Sequence, residues 1–223
     1  MSPALELFFH NFGWMGWNLF LAIIPLGLSF ILFVVGSDRN PTRNSSDRLS
    51  HNSRLNLWWR VSWGLGMIPF ILFLPNAAYI VTDIIHFVSD ARDLEVTQNG
   101  LIFIIIPQYI VFLLLGFQCH VWSLINFGYF LRRKNIVKQL IVVELFLNLL
   151  CAWGVYLGRF NRLNSWYLFT KPDRLFEDVI NNLDRGHFVF GTMLFFIVIT
   201  LLYYPFKWVN LSIMSKWRLM KQN

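Results

Sequence analysis

The sequence predicts an all-α integral membrane protein, a single bundle of about five transmembrane helices. The second helix is expected to break at a proline, and an amphipathic helix is expected to lie on the outer surface. Three observations carry this reading. Of 223 residues, 56% are hydrophobic, 18% aromatic and only 14% charged, whereas an ordinary soluble domain carries about 25% charged residues. The apolar residues gather into runs long enough to cross a bilayer, which takes about 20 residues. The positive charge lies in short segments between those runs, as membrane topology demands. With a mean hydropathy of +0.51, a soluble or disordered chain is excluded. The net charge of +7 does not indicate nucleic acid, because it is distributed as loop charge.

The first span is expected over 17–35, entered through Trp14 and Trp17. The second covers 61–82, uncharged but interrupted by Pro69 and Pro75. The third lies within an uncharged stretch, 96–131, too long for one perpendicular crossing and too short for two; it is placed at 101–124, bent at Pro107, with an extension at its inner end. The fourth covers 139–157 and the fifth 187–206. All belong to one membrane domain, 1–223, without internal repeats. The first Lys or Arg is Arg39, so the positive n-region of a secretory signal is not expected at the N-terminus. Cys119 and Cys151 both sit in apolar runs, which gives no disulfide framework.

Five spans put the termini on opposite sides. One set of connections carries 13 Lys and Arg against two acids, a balance of +11; the other carries six against nine, a balance of −3, with Glu144 left inside a span. The positive-inside rule then places the N-terminus outside and the C-terminus in the cytoplasm. The inner connection 37–56, rich in Ser, Asn, Arg and Pro, reads as a linker facing anionic headgroups.

The chemistry collects in two outer motifs. Downstream of Pro75, the residues Asn76, Tyr79, Asp83, His86, Asp90 and Asp93 are spaced 3, 4, 3, 4, 3, which aligns them along one face of a helix. A proline suits a helix start, so this helix is expected to restart near Pro75. Its polar stripe would begin inside the bilayer, where ionisable groups are tolerated only facing protein or a wet cavity. Asp83 and His86, at i and i+3, are candidates for an acid–base pair. They are too few for a metal site, which needs three or four ligands; His120 and His187 are the other candidates. Asp90 and Asp93 read as a solvated surface face.

The second motif, residues 158–166, follows the fourth span with Arg159, Arg162, Asn164 and Trp166. Two arginines at an outer end run against the positive-inside trend. They call for an acidic partner such as Asp83, or for a carboxylate or phosphate ligand; an interfacial Arg–Trp anchor is the plain alternative. Beyond Pro172, the apolar face Leu175, Phe176, Val179, Ile180 and Leu183 marks the outer amphipathic helix. Asn18 is placed to hydrogen-bond another span, and Glu144 to pair with the nearby Arg132, Arg133 or Lys138.

The paired motifs, residues 74–79 with Thr82, Asp83 and His86, and 158–160 with Arg162 and 164–166, resemble those of the bacterial membrane family labelled domain of unknown function 1361. The resemblance runs from about Asn18 to Tyr204. It departs where Ala78 stands in place of the family's proline, and where Tyr167 stands in place of an acid. It implies a bacterial multi-pass protein and no established activity. No nucleophile elbow, P-loop, dinucleotide fingerprint or zinc-protease helix is present, so neither a cofactor nor a metal is expected.

Three functions stay open. The first is an accessory or structural protein of the bacterial plasma membrane, its outward-facing polar cluster locking the helices together, with the lipid bilayer as its partner. The second is an enzyme or binding protein for an anionic lipid or phosphorylated ligand at the outer leaflet. In it, Asn76, Tyr79, Arg159, Arg162, Asn164 and Trp166 bind while Asp83 and His86 do acid–base work. The third is a transporter, suggested by the broken second span. Under the charge-derived topology, a cysteine placed at Asp93 or Asn182 should react with an impermeant thiol reagent in intact cells, and one at Ser46 or Asn135 should not; labelling at Ser46 reverses the orientation.

Overall fold

Five helices are long and apolar enough to cross a bilayer: Pro3–Val35, Val61–Asp90, Gln98–Arg133, Leu140–Phe160 and His187–Trp217. They are seen in a computed structural model that describes residues 2–35, 53–92, 96–160, 173 and 186–220. Among the described residues every regular element is helical. The expected outer amphipathic helix and the connection 37–52 lie outside the described residues, as do Arg162, Asn164 and Trp166.

The first span begins well before residue 17. Pro3 opens the helix, where its missing N–H costs no hydrogen bond. The polar Asn11, which makes 3–16 look like a membrane-proximal segment, is buried and bonded to the second span. The fifth helix runs on past 206, through Pro205 to Met220.

Packing follows the buried faces. The second span lies against the first, third and fourth, and the fifth packs chiefly on the fourth. The largest core cluster joins Phe33, Phe70, Leu74, Phe117, Leu124, Cys151, Val155, Ile199 and Tyr203, one or more residues from each span. At one end Phe33 meets Trp63, Phe70, Phe127 and Phe130 with ring centroids 4.9–6.4 Å apart, edge-on or tilted arrangements that aromatic rings favour. Trp63 donates its indole N–H to the Leu32 carbonyl at 3.2 Å, inside the π-helical turn Phe30–Val35 that ends the first span. Outward, Phe9, Phe12, Phe20, Phe103, Phe190 and Leu201 are exposed, the surface that acyl chains cover in a bilayer.

The second span does not break at Pro75. Its α-helix runs from Ser53 through both prolines to Tyr79, and only then tightens into a 3-10 turn, Ile80–Asp83, before the short helix Ile84–Asp90. Pro75 is accommodated by its neighbour: Gly154 of the fourth span lies so close that an added Cβ would stand 2.7 Å from the proline Cβ. The tightening coincides with Thr82, whose hydroxyl donates to the Tyr79 carbonyl at 2.7 Å, a back-bond that bends helices. A second close approach sits opposite, where a Cβ on Gly116 would stand 2.2 Å from Ile80 Cδ1. Ile80 is therefore core, not part of a lipid-facing surface.

The third span is one continuous crossing. Thr97 caps it, accepting from the Gly100 N–H at 3.2 Å; a π-helical turn, Leu101–Ile105, precedes Pro107 and the helix then runs to Arg133. Proline cannot donate to the preceding turn, and the wide turn takes up the mismatch without a kinked restart. Past the C-cap Lys134 stands Asn135, whose φ of 61° is the left-handed conformation that asparagine tolerates just beyond a helix C-terminus; the Ile136 N–H closes the turn on the Leu131 carbonyl at 3.0 Å.

The Pro75–Gly154 contact has a direct test. Gly154→Ala should lower the thermal unfolding midpoint in detergent, a cost of about 1–3 kcal/mol for overpacking, because a proline ring cannot swing away as a flexible side chain would. An unchanged midpoint contradicts the close approach.

Candidate functional site

The polar stripe of the second span meets the first, third and fourth spans at the end of the bundle where the N-terminus lies. Asp83 closes the 3-10 turn and is 1% exposed. Its Oδ2 accepts from Asn18 Nδ2 at 2.9 Å, and its Oδ1 stands 3.6 Å from Arg159 Nη1. Arg159 also donates to the Tyr79 hydroxyl at 3.3 Å, with its guanidinium carbon 5.9 Å from that ring's centroid. Asp83, Arg159, Tyr79 and Asn18 thus join three spans. A carboxylate in this setting needs such partners, because an unpaired ion in a dehydrated site costs several kcal/mol.

One turn further on, the stripe still faces the first span. His86 is exposed, and its ring lies against Trp14 of the first span, centroids 4.9 Å apart. It is not hydrogen-bonded to Asp83, whose polar neighbours are Asn18 and Arg159. The expected i, i+3 acid–base pair is not formed: Asp83 is taken up by Asn18 and Arg159, while His86 lies against Trp14, one turn before Asn18 on the first span. Asn76 is half-buried on the same span, below Tyr79.

Asp90, read from sequence as a solvated charge, is bonded into the bundle. Its Oδ2 accepts from Asn11 Nδ2 at 2.6 Å and from the Tyr109 hydroxyl at 2.8 Å. Asn11 Oδ1 in turn accepts from the Trp14 indole at 3.0 Å, so one chain of donors runs from the first span through Asp90 to the third. Sequence reasoning missed Asn11 and Tyr109. Asn11 lies ahead of the strongest apolar run, and a lone tyrosine two residues after a proline carries no spacing signal. Asp93 lies outside the described residues, and among those described no three His, Cys, Asp or Glu side chains converge as a metal site would require.

A second polar group occupies the opposite end. Glu144, 1% exposed, is hydrogen-bonded and ion-paired to Lys207 of the fifth span, not to Arg132, Arg133 or Lys138. The nearer residues in sequence lose because Arg132, Arg133 and Lys138 lie on the exposed end of the third span and its turn, while Lys207 projects from a helix packed on the fourth span. Deeper in the bundle, His120 and Asn148 meet at 3.1 Å between the third and fourth spans, and Asn126 donates to Ser29 at 3.0 Å.

The Asp90 chain has a simple check. Tyr109→Phe removes one donor from a charged, half-buried acceptor and should cost about 1.5–3 kcal/mol, read as a lower unfolding midpoint. The Trp14 and Phe112 rings around it are unaltered, so an unchanged midpoint means the hydrogen bond contributes nothing.

No curated protein and no solved structure matches the chain. One family model does, over residues 17–201, which take in Asn18, Asp83, Arg159 and Glu144, the second, third and fourth spans whole, and part of the first and fifth. The chain is thus a member of the family described as "Protein of unknown function (DUF1361)".

Proposed function

We propose that this chain is an accessory or structural protein of the bacterial plasma membrane, with its N-terminus outside, and that its outward polar cluster serves to lock the first, second and fourth spans together. The observation that carries this is the state of Asp83. It is buried, and each oxygen has a polar neighbour from a different helix. A carboxylate that served as a base or gripped a ligand needs an approach for substrate; this one is enclosed by the groups that neutralise it. The +11 against −3 charge asymmetry of the loops supports the orientation.

The competing reading keeps Arg159 as an anion-binding group, with Arg162, Asn164 and Trp166, which follow it in sequence, as further ligand-binding residues. It is favoured by one feature: Arg159 is 17% exposed and stands 3.6 Å from Asp83, beyond ordinary hydrogen-bond length, so among the described residues the guanidinium keeps donors to spare.

A double-mutant cycle separates the two. Under the structural reading, Asp83→Asn and Arg159→Gln each lower stability, and the pair is less damaging than the sum, with a coupling of about 0.5–3 kcal/mol. Unfolding in detergent measures this. Purely additive effects, with a phenotype lost in cells while the folded protein persists, point to the anionic ligand instead.

A further inference from the structure

At the end of the bundle opposite Asp83, a cleft opens between the third, fourth and fifth spans. Its walls are apolar, from Ile125, Leu140 and Leu211, and its polar groups are Tyr129, Arg132 and the Glu144–Lys207 pair. Gly128 lines it too, and a Cβ there would stand 3.4 Å from Leu140 and 3.6 Å from Glu144, so the glycine keeps the cleft open beside the carboxylate.

We infer that the mouth of this cleft, whose interior holds only about 20 Å³, binds the phosphodiester headgroup of an anionic phospholipid, with its acyl chains on the exposed apolar surface of the spans. The charge balance is the first argument. Arg132 and Lys207 against Glu144 leave one net positive charge among the lining residues, which matches the single negative charge of a phosphodiester. The second argument is the supply of donors. Arg132 is exposed and its side chain has no partner among the described residues. Its planar fork suits two oxygens of one phosphate. Lys207 gives one of its three N–H groups to Glu144, and Glu144 fixes it at the cleft while the Tyr203 and Tyr204 rings, 5.4 and 5.8 Å away, pack around the ammonium. The Tyr129 hydroxyl likewise has no partner among the described residues. The third argument is location. The cleft lies at the basic ends of the spans, beside Arg133, Lys134 and Lys138, and basic pockets between transmembrane helices suit anionic headgroups. The Asp83 end differs in kind, since its arginine already has a carboxylate.

The experiment is native mass spectrometry of the detergent-purified full chain with phosphatidylglycerol and phosphatidylcholine of matched acyl chains. The parent should retain phosphatidylglycerol about tenfold better, the scale of one charge-assisted contact. Arg132→Gln should bring the two lipids near parity. Arg132→Lys, which keeps charge but loses the fork, should fall between, and it reads the same contact if the glutamine variant does not fold. Lys138→Gln, a neighbouring exposed charge outside the cleft, should change nothing. Equal retention of both lipids by the parent overturns the proposal. So does a loss in Lys138→Gln equal to that in Arg132→Gln, which means diffuse attraction. Displacement of the lipid by inorganic phosphate assigns the site to a free anion and overturns the lipid assignment.

Discussion

Charge inside this bundle is governed by one constraint: a carboxylate withdrawn from water into a membrane must find an opposite charge or hydrogen-bond donors on a neighbouring helix. Asp83 finds Asn18 and Arg159, Asp90 finds Asn11 and Tyr109, and Glu144 finds Lys207. Each set spans at least two helices, so each fixes a rotation and a depth as well as a contact. Apolar packing between helices in lipid gains no hydrophobic driving force from lipid-facing surface. Polar matches of this kind, together with the close approaches at Gly116 and Gly154, give the bundle its specificity of register.

The number and rough placement of the spans were legible because they depend on composition over twenty-residue windows, which needs no partner. The pairing of Arg159 with Asp83 was legible for a related reason: arginines at an end expected to be poor in positive charge demand a counter-ion, and Asp83 is the carboxylate at the edge of a span. The partner of Glu144 was not legible, because proximity in sequence favoured Arg132 or Lys138 while packing of the fifth span on the fourth delivered Lys207. The helix through Pro75 misled for the same reason. Proline's local preference for a break is offset by a glycine that lies 79 positions further along the chain, and no window around residue 75 contains it.

The two ends of the bundle present different chemistry from similar residue types. Near Asp83 the arginine, carboxylate, tyrosine and asparagine face one another, and the result is a closed knot. Near Glu144 the carboxylate holds a lysine, yet Arg132 and Tyr129 still point their bonding capacity at nothing in the described protein. The first arrangement suits permanence; the second leaves room for exchange with the surroundings.

The Glu144–Lys207 pair also bears on the order in which the membrane receives the chain. Asp83 enters 65 residues after Asn18, so its first partner is already there to meet it. Glu144 enters 63 residues ahead of Lys207 and has no such welcome. Until the last span arrives, its carboxylate must remain near the interface or be shielded by whatever carries out insertion. The fifth helix therefore completes the fourth as much as it adds a crossing of its own, and a chain stopped before residue 207 is left with a buried acid that nothing in its own sequence can neutralise in the same way.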